Sequence, residues 1–186
     1  MGNLRSRLAD IILLADACGL LTLDIDMSFT IELDTACFNG LDLTPVEAIL
    51  TQKQQDGTIV DFEPPLRFAI HYPQDPEDPR EFSEIPEIRL WFLRLDSRYP
   101  WLPFLLDWEA GELARYAAML VPHQFSRTEG IHYNPEALEI FVMQKIFVVA
   151  DWLRQQGAAS SAQARLKFMA QMLGYELEAS LFELLV

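Results

Sequence analysis

Between Asp107 and His132 the chain sets two of its three histidines close in sequence to a group of carboxylates. Asp107, Glu109 and Glu112 lead into Arg115 and Tyr116, and His123 and His132 flank the segment 124–131. A carboxyl group that gives a proton and an imidazole that takes one are the elements of general acid–base catalysis. Glu112 as acid and His123 as base therefore define one reading, a small-molecule or metal-dependent hydrolase. Each group also has a purely structural use. Acids at a helix start satisfy orphan N–H groups and complement the macrodipole, at about 0.3–1 kcal/mol each, which suits Asp107 and Glu109. Glu112 lies beyond those capping positions, on the face opposite Leu113 and Ala117, and sits three residues before Arg115. An ion pair along the helix there contributes about 0.2–0.5 kcal/mol, or the two groups face a partner. His123 follows Pro122, where an imidazole meets the carbonyl end of a helix favourably.

Cofactor chemistry lacks its usual signatures. The only cysteines are Cys18 and Cys37, with no C-x-x-C pair, so a four-thiolate zinc site or a conventional iron–sulfur cluster cannot be held by one chain. H-E-x-x-H, P-loop, dinucleotide and nucleophile-elbow patterns are all missing. No metal and no cofactor are expected.

Aromatic residues suggest binding instead. Tyr99-Pro100-Trp101-Leu102-Pro103-Phe104 precedes Trp108, and Trp and Tyr dominate interface energetics. Prolines that pre-set a loop lower the cost of ordering it on docking. The same residues also serve as plugs between a sheet and a helix.

Charge narrows the partners. Acids outnumber bases 28 to 14, for a net charge of -14, and such a field repels phosphate backbones and anionic lipid. Nucleic acid is excluded as a partner, and a basic protein surface is favoured because it would be steered in. The apolar stretch at Ile11–Ala15 is far shorter than the roughly 18–20 residues a bilayer span requires. Asp16 argues against a signal peptide. Reduced thiols fit a cytoplasmic compartment.

These groups need elements to hold them. Residues 27–34 alternate Phe29, Ile31 and Leu33 with polar neighbours, the period of a half-buried strand. Thr44-Pro45-Val46-Glu47 reads as a capping box opening a helix that ends near Gly57, its polar end at 52–56 facing water. A second strand is expected over 66–72, then an exposed acidic loop from Pro73 to Pro86, then a third, central strand over 88–93. Asp107 caps a helix stopped by Pro122, and a turn follows at 122–124. Asn134 and Pro135 open a helix, apolar almost all round from Ile140 to Leu153, that should pass through the core centre before Gly157 closes it. Another helix starts at Ser160 or Ser161 and ends near Gly174, and a short one covers 178–185. The predicted fold is α+β, with a small, mostly antiparallel sheet from the first half packed on a helical layer from the second. Residues 1–26 are read as an N-terminal extension, and 27–186 as a single domain.

The run Leu106-Asp107-Trp108-Glu109-Ala110-Gly111-Glu112-Leu113-Ala114-Arg115-Tyr116-Ala117, with Trp101–Phe104, Val121-Pro122-His123-Gln124 and Tyr133-Asn134-Pro135-Glu136-Ala137-Leu138, resembles the chlororespiratory reduction factor family, sixth-member type. The resemblance implies a non-enzymatic, chaperone-like assembly factor. Its partner would be the ferredoxin-like iron–sulfur subunit of the photosynthetic NDH complex, met in the cytoplasm or a plastid stroma. The family has no established catalytic motif. From the chemistry of the matching residues, the expected docking surface combines Trp101, Trp108, Glu112, Arg115, His123, Gln124 and Tyr133.

Overall fold

A computed structural model describes residues 28–181 apart from Phe62, Arg127 and Ala179. The extension expected at 1–26 and most of the helix expected over 178–185 lie outside the described residues.

Strand β1 (Phe29–Asp34) buries Ile31 and Leu33 and exposes the residues between them, as the period-2 pattern predicts. Asp34 ends it and caps the next element, its carboxylate accepting the Cys37 N–H at 2.9 Å. That element is helix α1 (Thr35–Gly40), which closes at Leu41 in the left-handed region, φ 49°. Helix α2 (Thr44–Gln55) follows, and strand β2 (Leu66–His71) returns beside β1.

The pair is parallel, with Phe29 opposite Leu66 and Leu33 opposite Ile70. The expectation of a mostly antiparallel sheet is loose for this pair, and the cause is the connection. A hairpin reverses the chain in a few residues, whereas two helices and a loop intervene here and carry it back to the same end. Antiparallel pairing does occur, in a separate hairpin of β3 (His123–Ser126) and β4 (Gly130–Tyr133), where only a turn was expected.

The third expected strand is a helix. Helix α3 (Pro86–Arg98) has proline in its first turn and buries Ile88, Trp91, Phe92 and Leu95, spaced by three and four. Leu90 and Leu93 are about half exposed on the other side. Their apolar character filled in the helical gaps and gave the run the look of a two-sided strand.

Helix α4 (Glu112–Leu120) starts five residues after Asp107, behind Gly111 at φ 80°. Asp107 caps the preceding turn rather than the helix, accepting the Ala110 N–H at 3.0 Å. Helices α5 (Pro135–Gln155) and α6 (Ala159–Met172) complete the layer. Asn134 caps α5 as expected, its side chain accepting the Ala137 N–H at 3.0 Å. Yet α5 lies against the core rather than through its centre, because Ile140 and Phe147 remain exposed.

Two corrections concern α2. Leu43 occupies its cap position with no side-chain bond, while Asp42 accepts from the Thr44 N–H and hydroxyl at 2.9 and 2.6 Å. Glu47 is thereby released to accept the Tyr99 hydroxyl at 3.1 Å. Within the supposedly wet end of α2, Lys53 is buried, its ammonium donating to the Glu63 and Pro64 carbonyls at 3.1 and 2.6 Å. An apolar cluster joins both halves into one α+β unit. Its aromatic spine runs Phe38, Trp91, Phe68, Phe92 and Tyr116, packed edge to face.

Candidate functional site at the outer edge of the parallel pair

The Phe29 N–H donates to the Pro65 carbonyl at 2.8 Å. Backbone groups alternate in direction along a strand, so Arg67, Ala69 and His71 turn toward β1, whereas Leu66, Phe68 and Ile70 turn away from it. These three outward positions are treated differently. The Leu66 carbonyl takes the Asp107 N–H at 2.8 Å, where Leu106 bridges to Leu66 in parallel sense. At Phe68 two side chains of α4 substitute for a strand. Arg115 Nη1 donates to the carbonyl at 2.9 Å, and the N–H faces the Glu112 carboxylate. The outward groups of Ile70 have no hydrogen-bond partner among the described residues. They border a cleft of about 500 Å³ lined by Phe82 and Ser83, by Arg115 and Met119 of α4, and by Ile131 of β4.

Glu112 is 3% exposed and pairs with Arg115 at 3.1 Å, the ion pair expected from the sequence. Its burial, however, runs against the expectation of a surface carboxylate. As the first residue of α4 it points at the sheet edge rather than along an exposed helix flank. Burial pushes its carboxyl above the usual range, against the opposing pull of Arg115 and the Phe68 N–H. Oε2 is buried with no hydrogen-bond partner among the described residues. Asp107 is held the other way. Burial alone would raise it, but the Ala110 N–H and the Arg67 guanidinium, 2.7 Å from Oδ2, bring its carboxyl below the usual range.

His123 follows the far end of α4. Its Nδ1 lies 2.9 Å from the Val121 carbonyl, which only accepts, so Nδ1 carries the proton. In the neutral ring Nε2 then accepts the hydroxyl of Ser83, 3.1 Å away. The imidazole thus holds the 82–84 turn against the hairpin. Glu112 and His123 are not brought together, because the helix between them spans about 12 Å, and each has partners of its own.

The remaining docking candidates are dispersed. Trp108 is 6% exposed, with its indole N–H donating to the Pro103 carbonyl at 2.9 Å and the Arg165 guanidinium 4.1 Å above its ring. It packs a recess with Arg67, Asp107 and Phe168 instead of standing on a surface. Trp101 is half-buried and stacks on Trp152 of α5. Tyr133 is half-buried, its hydroxyl donating to the Ala114 carbonyl at 3.1 Å, and its ring meets His123 edge to face. Arg115 and Gln124 are exposed, and Arg115 alone of the seven lines the cleft. Sequence reasoning missed Ser83, Met119 and the Ile70 backbone. Nothing in the linear pattern marks them, since their roles come from elements meeting in space.

Among the described residues no group of three His, Cys, Asp or Glu is placed to hold a metal ion. No described helix is long and apolar enough to cross a membrane. The family model described as chlororespiratory reduction 6 matches residues 33–184, and so takes in the sheet edge, α4, the hairpin and both long helices. The chain belongs to the chlororespiratory reduction 6 family. That family is associated with assembly of the NDH complex. No solved structure matches the chain.

Proposed function

We propose that this protein is a non-enzymatic assembly factor that binds the ferredoxin-like iron–sulfur subunit of the photosynthetic NDH complex while the peripheral arm is put together. The observation that carries the reading is the family match over residues 33–184. It transiently covers an immature, aggregation-prone surface of the subunit, in the cytoplasm or the stroma. Residues 1–26 precede the domain that does so. Arg115 and Gln124 contribute direct contacts, with the exposed parts of Trp101, His123 and Tyr133. Trp108 and Glu112 are buried and act beneath them, setting the shape of the 107–112 turn and the register of Arg115. The hydrolase alternative loses its support, since Glu112 and His123 sit at opposite ends of α4 and are each engaged structurally. The test is to mix the purified full chain with the purified iron–sulfur subunit, with and without its clusters, and analyse the mixture by size-exclusion chromatography with light scattering. A stoichiometric complex with at least one form is expected. Separate elution of both forms from a folded chain would overturn the reading.

A further inference from the structure

We infer that the open Ile70 edge of β2 receives an extended, basic segment of the partner protein as an added strand. The inference rests on the docking reading for the identity of the partner and on the edge geometry for the mode of binding. Three consecutive outward positions of one strand show what the edge requires. Leu66 is met by backbone from Leu106 and Asp107, and Phe68 by a donor and an acceptor that two side chains set in the same arrangement. Ile70, next in line, presents one N–H and one carbonyl into the cleft. Extended backbone supplies the matching acceptor and donor together, the basis of recognition by strand addition. Side chains of an added strand point alternately to its two faces, so one of them can settle among Phe82, Met119 and Ile131.

Charge selects the occupant. The loop over 73–84 carries Asp75, Glu77, Asp78, Glu81 and Glu84 against the single base Arg80, which Asp78 binds at 2.7 Å. Glu81 lines the cleft itself, and the charge of Arg115 is matched by Glu112. Lysine or arginine on the solvent side of the added strand therefore meets uncompensated carboxylates. A second copy of this chain would bring a net charge of -14 and the same acidic loop to the contact, which disfavours self-pairing of the edge.

The test uses the full chain, isotope-labelled, and follows amide exchange at Ile70 by nuclear magnetic resonance. The probe is a short capped peptide alternating lysine with valine, and the control carries glutamate at every lysine. The lysine peptide should slow exchange at Ile70 by about tenfold or more and bind about tenfold more tightly than the glutamate peptide. Ile131→Lys, at a position 37% exposed and so tolerant of the change, should weaken lysine-peptide binding by about tenfold. No binding, or binding that leaves Ile70 unprotected, overturns the strand inference, as does protection that rises with chain concentration alone. The iron–sulfur subunit run in parallel separates the two readings. A subunit that binds without protecting Ile70 refutes strand addition and leaves the assembly role standing. A subunit that fails to bind while the lysine peptide docks refutes the partner and leaves the edge standing.

Discussion

Helix α4 carries two polar clusters that obey opposite rules. On its core side the Tyr116 hydroxyl donates to Asp96 of α3 at 2.9 Å, and Lys145 of α5 pairs with the same carboxylate oxygen. Lys145 is 1% exposed. Burial pulls its ammonium below the usual lysine range while Asp96 opposes that, and burial followed by Asp96 drives the Tyr116 phenol well above its own. On the sheet side Glu112 and Arg115 hold the Phe68 backbone, and the arginine side chain is 43% exposed. The first cluster joins three helices around a buried lysine, with the Asp96 side chain still 17% exposed. The second caps part of an edge and leaves the next residue open. The buried Lys145 charge serves cohesion, whereas the Arg115 charge at the boundary remains available to a partner.

The largest effect should come from the cluster around Lys145. Asp96→Ala leaves the Lys145 ammonium buried without its counter-ion and should cost about 3–5 kcal/mol in urea unfolding. Lys145→Met combined with Asp96→Leu and Tyr116→Phe should recover most of that loss, because an apolar replacement of all three groups leaves neither a buried charge nor an orphaned hydroxyl. A cost below about 1 kcal/mol for Asp96→Ala would show that the cluster is wet and erase the contrast.

Glu112 should come second. Glu112→Ala removes the acceptor facing the Phe68 N–H and should destabilise by about 1–3 kcal/mol. Glu112→Gln keeps an acceptor and removes the charge, which gives it a pH signature. Because burial raises the folded-state affinity of Glu112 for its proton, the protonated form favours folding. The wild type should gain stability relative to Glu112→Gln as pH falls through the raised folded value toward the ordinary glutamate value, and lose that advantage toward neutrality. Chemical denaturation of both proteins at several pH values checks this. A stability difference independent of pH would mean that the Glu112 carboxyl is well solvated.

Arg115→Ala should separate stability from binding. Its partly exposed pair should contribute at most about 1 kcal/mol to folding, while affinity for the iron–sulfur subunit should fall by about 2 kcal/mol or more if Arg115 is a contact hot spot. Calorimetric titration of a variant with unchanged melting decides it, and equal affinity would move the docking surface elsewhere.

The smallest effect belongs to the loop. Asp75→Asn with Glu77→Gln should slow association a few-fold at low salt and leave dissociation alone, since steering is screened beyond about 8 Å at physiological ionic strength. Stopped-flow mixing at two salt concentrations reads this directly.

Periodicity and punctuation made much of this legible beforehand. Phe29 to Leu33 and Leu66 to Phe68 alternate, Pro45 opens α2, and Asn134-Pro135 opens α5, each through a local rule. The run 88–93 failed that approach because apolar residues on the exposed flank of α3 masked the helical spacing. Strand direction was hidden as well, since direction follows from how the connection travels. The charged residues misled most. Lys53 and Glu112 read as solvated in one dimension, yet carbonyls at 63–64 and the β2 backbone meet them in three. For the site, the Glu112–Arg115 pairing was visible in its spacing, while the edge it caps was not.

The indole rings of Trp101 and Trp152 lie 4.5 Å apart and 8° from parallel. Rings held so closely share their electronic transitions, and the coupled bands they give in near-ultraviolet circular dichroism exist only while the packing is fixed. One ring belongs to the proline-rich loop and the other to α5. Seating of that loop on its helix can therefore be followed optically without any label, during unfolding or as a partner arrives.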